Sequence, residues 1–387
     1  MNPTKRIFTA SSNTMKSAET IANNVDLLTQ ILLFLPIKSL LKFKSVSKHW
    51  LSLISDPDLR RRVSSTKKPI SGLFLFRTFS PSYDFLFIHN DDDNNNPSPV
   101  PSRPLTFVEH LSGIEILQSC NGLFLCSGYK TDPYLLPFSQ PFPRFYVYNP
   151  TTNEFIKLPR LQGDTRTWVL GINMSFDPAI SPHYKVVCFQ SCGSPLDTYC
   201  RIKIYSSETR GAWRQSGDPF SVLEVDHLMF DFGVFCNGAI HWLSHSETTS
   251  LRFNVDKEKL REMPMPLVHN DPNWDASTVR YFGESNGHLH IVNLHHSRRT
   301  EFDVSEIERE YSGWFVKYRV DINGVLRAFP EMIRRYLDPL DMDYYGFSIL
   351  CVVREEADEE SSLVLHIPGK ALRFNVKKLL KALRFRY

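Results

Sequence analysis

Seven cysteines are the residues of this sequence best suited to bind a metal ion or form disulfides. Cys188, Cys192 and Cys200 form the only cluster among them. The chain has no C-x-x-C pair, and no histidine follows the cluster at zinc-finger spacing. An odd number of cysteines without paired spacing favours reduced thiols in a cytosolic or nuclear protein over disulfides or a zinc site.

Four histidines in a short segment are the second candidate for metal binding. His288 and His290 would share one face of a β-strand, because side chains alternate along a strand. His295 and His296 follow them closely. No cysteine or carboxylate lies at a fixed spacing that would complete a site. We therefore predict a polar strand face here, with no metal ion and no other cofactor.

Zinc-protease and phosphate-binding motifs are absent from the sequence, which contains no H-E-x-x-H, P-loop or G-x-G-x-x-G pattern. The letters G-x-S-x-G occur once, as GESNG at residues 283–287, where they overlap an Asn-Gly pair that favours a hairpin rather than the strand-to-helix turn of a nucleophilic serine. Without such a turn or a set of carboxylates, we predict that the chain is not an enzyme. An active site assembled from the loops of a β domain is the alternative that stays open.

The composition excludes several classes of protein. Over 387 residues, 45 basic and 42 acidic side chains give a formal charge of +3, without the strong field of a nucleic-acid-binding protein. The longest apolar run, residues 27–35, is far shorter than the roughly 20 residues of a membrane-spanning helix. Residues 1–22 are polar and predict a disordered tail. We expect a cytoplasmic or nuclear protein that binds neither membrane nor nucleic acid.

Residues 23–62 have the apolar spacing of short helices, the elements that must position any partner-binding side chains. Asp26 can cap a first helix, which Pro36 ends. A second helix follows, and a third carries Val46 and Trp50 on one face. A unit of about 40 residues rarely buries enough surface to be stable alone. A partner protein or the rest of the chain must therefore cover part of its apolar surface.

From residue 70 onward the spacing changes to a weak repeat of a strand, a polar turn and an aromatic residue. The sequence LRFNV occurs at residues 251–255 and again at residues 372–376. Asn-Gly pairs, which favour tight hairpins, precede three of the repeats, at Asn121, Asn237 and Asn286. The last aromatic residue before each turn marks one repeat; these marker residues are Tyr148, Tyr205, Phe253, Phe302 and Phe374.

A repeat of about 50 residues with several strands per unit is typical of a kelch-type β-propeller. With an early unit at residues 73–88, the sequence predicts about six blades over residues 70–387. The predicted fold is thus α+β and multidomain, a small three-helix domain at residues 23–62 followed by an all-β propeller. A β-sandwich would not explain one motif that recurs at this interval.

Two parts of the sequence resemble a known family. The phrases DLLTQIL, LPIKSLLKF, VSKHW and SLISDP, which lie between Asp26 and Pro57, resemble the F-box of plant proteins. The phrases NGLFLC, YNPTT and HIPGK, at residues 121–126, 148–152 and 366–370, are similar to the F-box-associated, kelch-like domain of the same plant family. The first match covers about a tenth of the chain and is the more specific.

The resemblance implies the substrate receptor of an SCF-type (Skp–cullin–F-box) ubiquitin ligase, without catalysis of its own. The F-box would bind a Skp-type adaptor, and through it the cullin and RING subunits. The β-propeller would bind a target protein, which is then ubiquitinated and degraded by the proteasome. Three loops, at residues 129–143, 191–198 and 264–274, are candidates to bind this unknown target.

Apolar residues of the three helices are the candidate adaptor contacts. Packing inside the helical domain is the alternative role for each of them, and for Trp50 both roles stay open. Nine basic residues between Lys38 and Lys68 favour an acidic adaptor over nucleic acid, since no aromatic residues suited to base stacking accompany them. The candidate contact residues are Leu28, Ile31, Leu32, Leu35, Pro36, Leu40, Val46 and Trp50.

The sequence departs from the family at the start of the F-box. Asn23 and Asn24 stand where the family has Leu-Pro, Ser47 replaces a common cysteine, and Phe34 replaces a common basic residue. Loss of the Leu-Pro pair motivates an alternative function. In it the chain is a kelch-like interaction scaffold whose F-box no longer recruits the ligase.

Overall fold

A computed structural model describes two compact units, a helical unit within residues 1–67 and a β unit that begins at residue 68. The predicted N-terminal tail, Pro36 and the candidate loop at residues 129–143 lie outside the described residues. The described residues are 24–35, 37–56, 58–59, 62–63, 72–76, 83–87, 114–128, 144–163, 167–194, 197–222, 225, 227–245, 249–265, 279–295, 298–341 and 343–376.

Three short helices are complete among the described residues of the helical unit, as predicted, and residues 58–59 and 62–63 are helical as well. Asn24 caps the first of them, and not Asp26. The side-chain oxygen of Asn24 accepts hydrogen bonds from the backbone N–H groups of Asp26 and Leu27, both at 3.1 Å. Both residue types are good caps, so the spacing alone did not distinguish them. The helices are α1 (Val25–Leu33), α2 (Ile37–Phe43) and α3 (Lys48–Ser55).

The helix α3 begins later than predicted. Ser47 caps it by accepting a hydrogen bond of 3.1 Å from the backbone N–H of Trp50. Val46 therefore precedes the helix, in the turn after α2, and its side chain is 59% exposed. The prediction that Val46 and Trp50 share one helix face was wrong, because the cap lies between them.

Leucine and isoleucine side chains from all three helices form the core of the helical unit. Leu28, Leu32, Leu40 and Ile54 are buried there. Trp50 is partly buried at the edge of this core, with its ring perpendicular to that of Phe43 at a centroid distance of 5.3 Å. Burial of each such side chain contributes about 1.5–3 kcal/mol, so these residues hold the helices together.

The β unit begins with a hairpin and continues with five antiparallel sheets whose strands follow chain order. The hairpin pairs β1 (Gly72–Phe76) with β2 (Tyr83–Phe87). Blade 1 contains β3 (Ile114–Cys120), β4 (Leu123–Gly128), β5 (Arg144–Asn149) and β6 (Glu154–Lys157). Blade 2 contains β7 (Trp168–Ser175), β8 (Lys185–Ser194), β9 (Asp197–Ser206) and β10 (Arg214–Ser221). Blade 3 contains β11 (Val234–Cys236), β12 (Ala239–Trp242), β13 (Thr249–Asn254) and β14 (Lys259–Pro264).

The last two sheets are separated by a short helix, α4 (Asn323–Ala328), and a 3₁₀ turn, Pro330–Met332. None of the helices among the described residues has the length and apolar character needed to cross a membrane. Blade 4 contains β15 (Val279–Ser285), β16 (His288–His295), β17 (Arg298–Ile307) and β18 (Trp314–Asp321). Blade 5 contains β19 (Ser348–Val353), β20 (Ser362–Ile367) and β21 (Lys370–Asn375).

Each of the five marker residues lies on the third strand of its blade and is buried. The two copies of LRFNV likewise begin on the third strands of blades 3 and 5. The repeat in the sequence is therefore the repeat of the sheets, and the prediction of a β-propeller is confirmed. The structure shows five blades where about six were predicted, because residues 73–88, counted as a sixth unit, include a two-stranded hairpin.

Buried side chains pack between each pair of consecutive blades. The first strands of neighbouring blades contact one another, which places these strands innermost. Between blades 2 and 3, Phe189 lies 5.0 Å from Trp242 and 4.5 Å from Phe230, ring centroid to ring centroid. The outer face of blade 5 carries Cys351, Val353 and Val364, against which Leu73 of β1 packs. A single blade buries one face only when its neighbour is present.

The Asn-Gly pairs form the tight turns between the first and second strands of blades 1, 3 and 4. Asn121, Asn237 and Asn286 have φ values of 44°, 48° and 56°, in the left-handed region that asparagine tolerates. Two of these side chains also reach the next blade, since Asn121 Nδ2 donates to the carbonyl of Phe176 at 2.7 Å and Asn237 Nδ2 to that of Gly287 at 2.9 Å. The turns therefore set both the hairpins and the spacing between blades.

A tryptophan hydrogen bond joins consecutive blades at two equivalent places. Trp213 Nε1 donates to the carbonyl of Pro159, and Trp314 Nε1 donates to that of Pro264, both at 2.8 Å. Each proline lies at or just beyond the end of a fourth strand, and each tryptophan lies at or just before the start of the next blade's fourth strand. The tryptophan that precedes or begins the fourth strand therefore connects one blade to the blade before it.

Candidate functional site

A buried charge cluster joins blades 4 and 5 and contains two of the candidate metal ligands. The Glu306 carboxylate is 2.8 Å from His288 Nδ1, 3.3 Å from His290 Nε2 and 2.9 Å from Arg354 Nε. Burial alone would raise the pKa of Glu306, but contact with these three side chains lowers it to about 2. The carboxylate is therefore ionised and is neutralised by the guanidinium of the next blade.

The two oxygens of the Glu306 carboxylate have different neighbours: His288 lies against Oε1, and His290 and Arg354 lie against Oε2. Among the described residues, no group of three or more His, Cys, Asp or Glu side chains is arranged to hold a metal ion. His290 is fully buried, so the polar face that we predicted is an internal contact between blades. The side chains of His295 and His296 lie outside the described residues.

A second histidine, His241, is buried between blades 3 and 4. Its Nδ1–H donates to the carbonyl of Val234 at 3.1 Å, and its Nε2 accepts from the hydroxyl of Tyr311 at 2.7 Å. The Arg252 guanidinium lies 3.8 Å from the centre of the Tyr311 ring. Burial lowers the pKa of His241 from 6.5 to about 4. Acceptance from Tyr311 at Nε2 needs the neutral ring, whereas Nδ1–H can donate to Val234 in either charge state.

We expect the stability of the protein to fall as the pH falls from 6.5 towards 4. The unfolded chain binds a proton at His241 near pH 6.5, whereas the folded chain resists it down to about pH 4. This difference corresponds to about 3 kcal/mol of stability that is present above pH 6.5. Urea unfolding at pH 7 and pH 4.5 should show a smaller loss for His241→Gln than for the wild type. The exposed His245, changed to Gln, is the matched control, and an equal pH dependence in all three proteins would contradict the prediction.

The three clustered cysteines do not form a site either. All seven cysteines are buried thiols. Burial raises the pKa of Cys126, Cys200 and Cys351 to about 12, and it raises those of Cys188 and Cys236 as well. A thiol with so high a pKa stays protonated at neutral pH and is a poor nucleophile.

The native protein should therefore resist alkylation of its cysteines. We expect iodoacetamide at pH 7.5 to label none of the seven in the folded chain and all seven after unfolding in guanidinium chloride, because only unfolding exposes them. Mass spectrometry of the two samples measures the number of labels. Rapid labelling of any cysteine in the folded chain would show that the thiol is accessible and the burial is wrong at that position.

The helical unit has more apolar residues than its core can bury. Along α1, Leu28 and Leu32 face the core, whereas Leu27 and Ile31 are 43% and 44% exposed. One turn further on, Phe34 is 89% exposed. The buried stripe contains Leu28 and Leu32, and the exposed stripe contains Leu27, Ile31 and Phe34. In both stripes the residues are three or four positions apart, which is the spacing of one helix face. Val25, Val46 and Leu51 are exposed large apolar side chains of the same unit.

Family comparisons assign both units. A model of the F-box domain matches residues 24–62. A model described as F-box associated beta propeller domain matches residues 73–314, more than half of the chain. The chain belongs to the F-box proteins with an associated β-propeller. The resemblance stated from the sequence is thereby confirmed for the F-box and for the propeller.

Relatives from Arabidopsis thaliana are F-box proteins by name. The chain is 37% identical to F-box protein At5g07610 over 380 residues, which cover 95% of this chain and 86% of that protein. It is 25% identical to F-box/kelch-repeat protein At4g19930 over 67% of this chain and 61% of that protein. Among solved structures, the Malassezia sympodialis allergen Mala s 1 matches 69% of this chain and 76% of its own, with 10% identity and a TM-score of 0.34, too low to support an argument.

The F-box structure divides the predicted adaptor contacts into two groups. The first group lies in the core of the F-box or at its edge, and consists of Leu28, Leu32, Leu35, Leu40 and Trp50. The second group is exposed and consists of Ile31 and Val46. Pro36 lies outside the described residues, and the role of all eight in adaptor binding stays a prediction.

Sequence analysis missed the exposed Val25, Leu27, Phe34 and Leu51 of the F-box. The signal was available for α1, because the spacing of residues 27, 31 and 34 is as helical as that of residues 28, 32 and 35. Only one of two such stripes can face the core of so small a domain. We had noted Phe34 only as a departure from the family, although its 89% exposure makes it the most exposed large apolar side chain of this F-box.

Proposed function

We propose that this protein is the substrate-recognition subunit of an SCF-type ubiquitin ligase in the cytoplasm, the nucleus or both. The observation that carries the proposal is an F-box with a surplus of exposed apolar side chains, followed in the same chain by an F-box-associated propeller. The F-box binds a Skp-type adaptor and, through it, the cullin and RING subunits. The propeller binds the target protein.

The contribution of such a subunit is proximity. A target held by the propeller meets the conjugating enzyme within one complex, so a bimolecular encounter becomes an intramolecular one at high effective concentration. The chain needs no nucleophile or metal for this, since bond formation belongs to the partner subunits. Buried thiols and histidines that lie against a carboxylate agree with a non-catalytic role.

A pull-down of the purified chain with a plant Skp-type adaptor tests the proposal. We expect capture by the full chain and none after deletion of residues 1–62, since the deletion removes the F-box. Reconstitution with cullin and RING subunits should then give ubiquitin transfer that depends on the F-box. No capture by a folded full chain would favour the alternative of a kelch-like scaffold, which the loss of Leu-Pro at Asn23 and Asn24 motivates.

A further inference from the structure

Two basic side chains without a carboxylate partner lie on the face of blade 2 that packs against blade 1. Arg201 and Lys203 are two residues apart on β9, so their side chains share one face of the sheet. Cys188, the Cα partner of Lys203 in β8, belongs to the core between blades 1 and 2, which identifies that face. Neither cation forms an ion pair within the part of the chain that the structure describes.

The guanidinium of Arg201 is held in place by Tyr199, which lies two residues earlier on the same face. Arg201 Nη2 donates to the Tyr199 hydroxyl at 2.9 Å, and the central carbon of the guanidinium lies 4.9 Å from the centre of the Tyr199 ring. Arg201 is partly buried, and its Nε–H is fully buried without an acceptor. A charged donor that leaves water without gaining an acceptor is costly, so the protein by itself does not satisfy this guanidinium.

A fully buried amide lies opposite Arg201 in the neighbouring strand. Gln190 of β8 is the Cα partner of Arg201 and is 0% exposed. Its Nε2 donates to the carbonyl of Gln162 at 3.2 Å, and Lys203 Nζ donates to the same carbonyl at 3.0 Å. Gln190 Oε1 has no donor, so an unsatisfied acceptor and the unsatisfied Nε–H of Arg201 occupy paired positions of the two strands. The bonds to Gln162 tie the connection after β6 to both strands, and this part of the face is rigid before a partner binds.

Few carboxylates surround these two cations. The strand β8 contains no acidic residue, and Asp197, at the start of β9, has a side chain outside the described residues, as has Asp164 in the connection before β7. Asp218 lies in the irregular part of β10, the strand on the other side of β9. It is exposed and pairs with neither cation. Arg160, two residues before Gln162, is exposed as well, so basic side chains predominate over the described part of this junction.

The free nitrogen of this guanidinium suits a carboxylate. Arg201 Nη1 makes no hydrogen bond to a described residue. Arginine and carboxylate groups form parallel, charge-assisted N–H···O bonds, which are about twice as strong as neutral ones. A carboxylate brings one negative charge, which a single guanidinium balances, whereas a phosphate group brings nearly two. Tyr199 directly follows the candidate target-binding loop at residues 191–198, so the guanidinium lies close in the chain to a loop that the sequence predicts to bind the target.

We infer that Arg201 binds an aspartate or glutamate side chain of the target protein. Tyr199 is the positioning residue, because its hydroxyl and its ring hold the guanidinium in one orientation. Lys203 adds a second positive charge on the same face and steers an acidic segment towards Arg201. The inference rests on the proposed function, because it names the class of target segment that the propeller recognises.

Selection from a displayed library of random peptides tests the inference with the full chain as bait. We expect enrichment of peptides with aspartate or glutamate at one fixed position. A synthetic copy of a selected peptide, with both termini blocked, should bind at least about tenfold more weakly to Arg201→Gln than to the wild type. Arg261→Gln, which changes an exposed arginine of the outer strand β14, is the matched control and should bind as the wild type does.

Charge exchange distinguishes direct pairing from a structural role of the arginine. Arg201→Glu should lose the acidic peptide and bind at least about tenfold more tightly than the wild type to the same peptide with lysine at the fixed position. Tyr199→Phe removes only the hydroxyl that holds Arg201 and should weaken binding of the acidic peptide about threefold. Thermal unfolding of each variant confirms that the propeller is folded. Enrichment of peptides without a fixed acidic residue, equal binding by the wild type and Arg201→Gln, or tighter binding of the peptide with phosphoserine at the fixed position would overturn the inference.

Adaptor capture by the same variants separates this inference from the proposed function. Arg201 belongs to the β unit, so we expect both of its variants to capture the adaptor as the wild type does. If adaptor capture is intact and no acidic peptide is selected, the inference is wrong and the receptor assignment stands. If acidic peptides bind through Arg201 but the wild type captures no adaptor, the carboxylate site is right and the ligase assignment fails.

Discussion

Substitution of both Ile31 and Val46 by lysine is expected to abolish capture of a Skp-type adaptor while the F-box stays folded. Both side chains are exposed, at 44% and 59%, so the change removes no packing from the core of the domain. At an apolar interface, the two new charges would be buried without partners, which costs several kcal/mol. We expect at least about a hundredfold weaker binding, measured by titration of the purified adaptor.

Two further proteins make this result specific. Phe155→Lys introduces the same charge at an exposed apolar site of the propeller and should leave adaptor binding unchanged. Trp50→Ala with Leu35→Ala should also lose binding, but with a loss of helix signal in circular dichroism, because both side chains pack against the core of the F-box. Normal adaptor binding by the double lysine variant would show that the exposed apolar side chains of α1 and the following turn are not the interface.

The largest loss of stability is expected for Trp242→Ala. Trp242 is fully buried between blades 2 and 3, in contact with Phe189 and Phe230. Its indole Nε1 donates to Asn173 Oδ1 at 2.8 Å. Removal of the ring leaves a cavity and an unsatisfied amide, and the free energy of unfolding should fall by about 3–5 kcal/mol.

A second tryptophan provides the control for this variant. Trp168 is the first residue of β7, and its side chain is 51% exposed. We expect Trp168→Ala to change the free energy of unfolding by no more than about 0.5 kcal/mol. Urea unfolding followed by circular dichroism of the sheets measures both variants. Equal destabilisation by the two substitutions would mean that the core between blades 2 and 3 does not depend on the indole of Trp242.

The repeat could be predicted from the sequence because it depends on local patterns. The marker residue has the same position on the third strand of all five blades, and the Asn-Gly pairs at residues 121, 237 and 286 have the same position in the turns of blades 1, 3 and 4. The cap of α1 was misassigned because Asn24 and Asp26 are both suitable cap residues two positions apart. Local spacing predicts that a helix begins near these residues, but the residue that caps it is known only from the hydrogen bonds of the backbone N–H groups.

The contacts between blades could not be predicted in the same way. Glu306 and Arg354 are 48 residues apart in the chain, and no motif links them. His288 and His290 were candidate metal ligands in the sequence. In the structure they lie against the Glu306 carboxylate of the neighbouring strand, which also pairs with the Arg354 guanidinium of the next blade.

The packing of Leu73 on the last blade has a consequence for the synthesis of the protein. Val364 follows Leu73 by 291 residues, so during translation β1 emerges long before the sheet that covers it. A nascent or truncated chain therefore lacks the sheet against which β1 packs until nearly all of the protein has been made. Under the proposed function, only the complete chain would combine adaptor binding with a finished target surface.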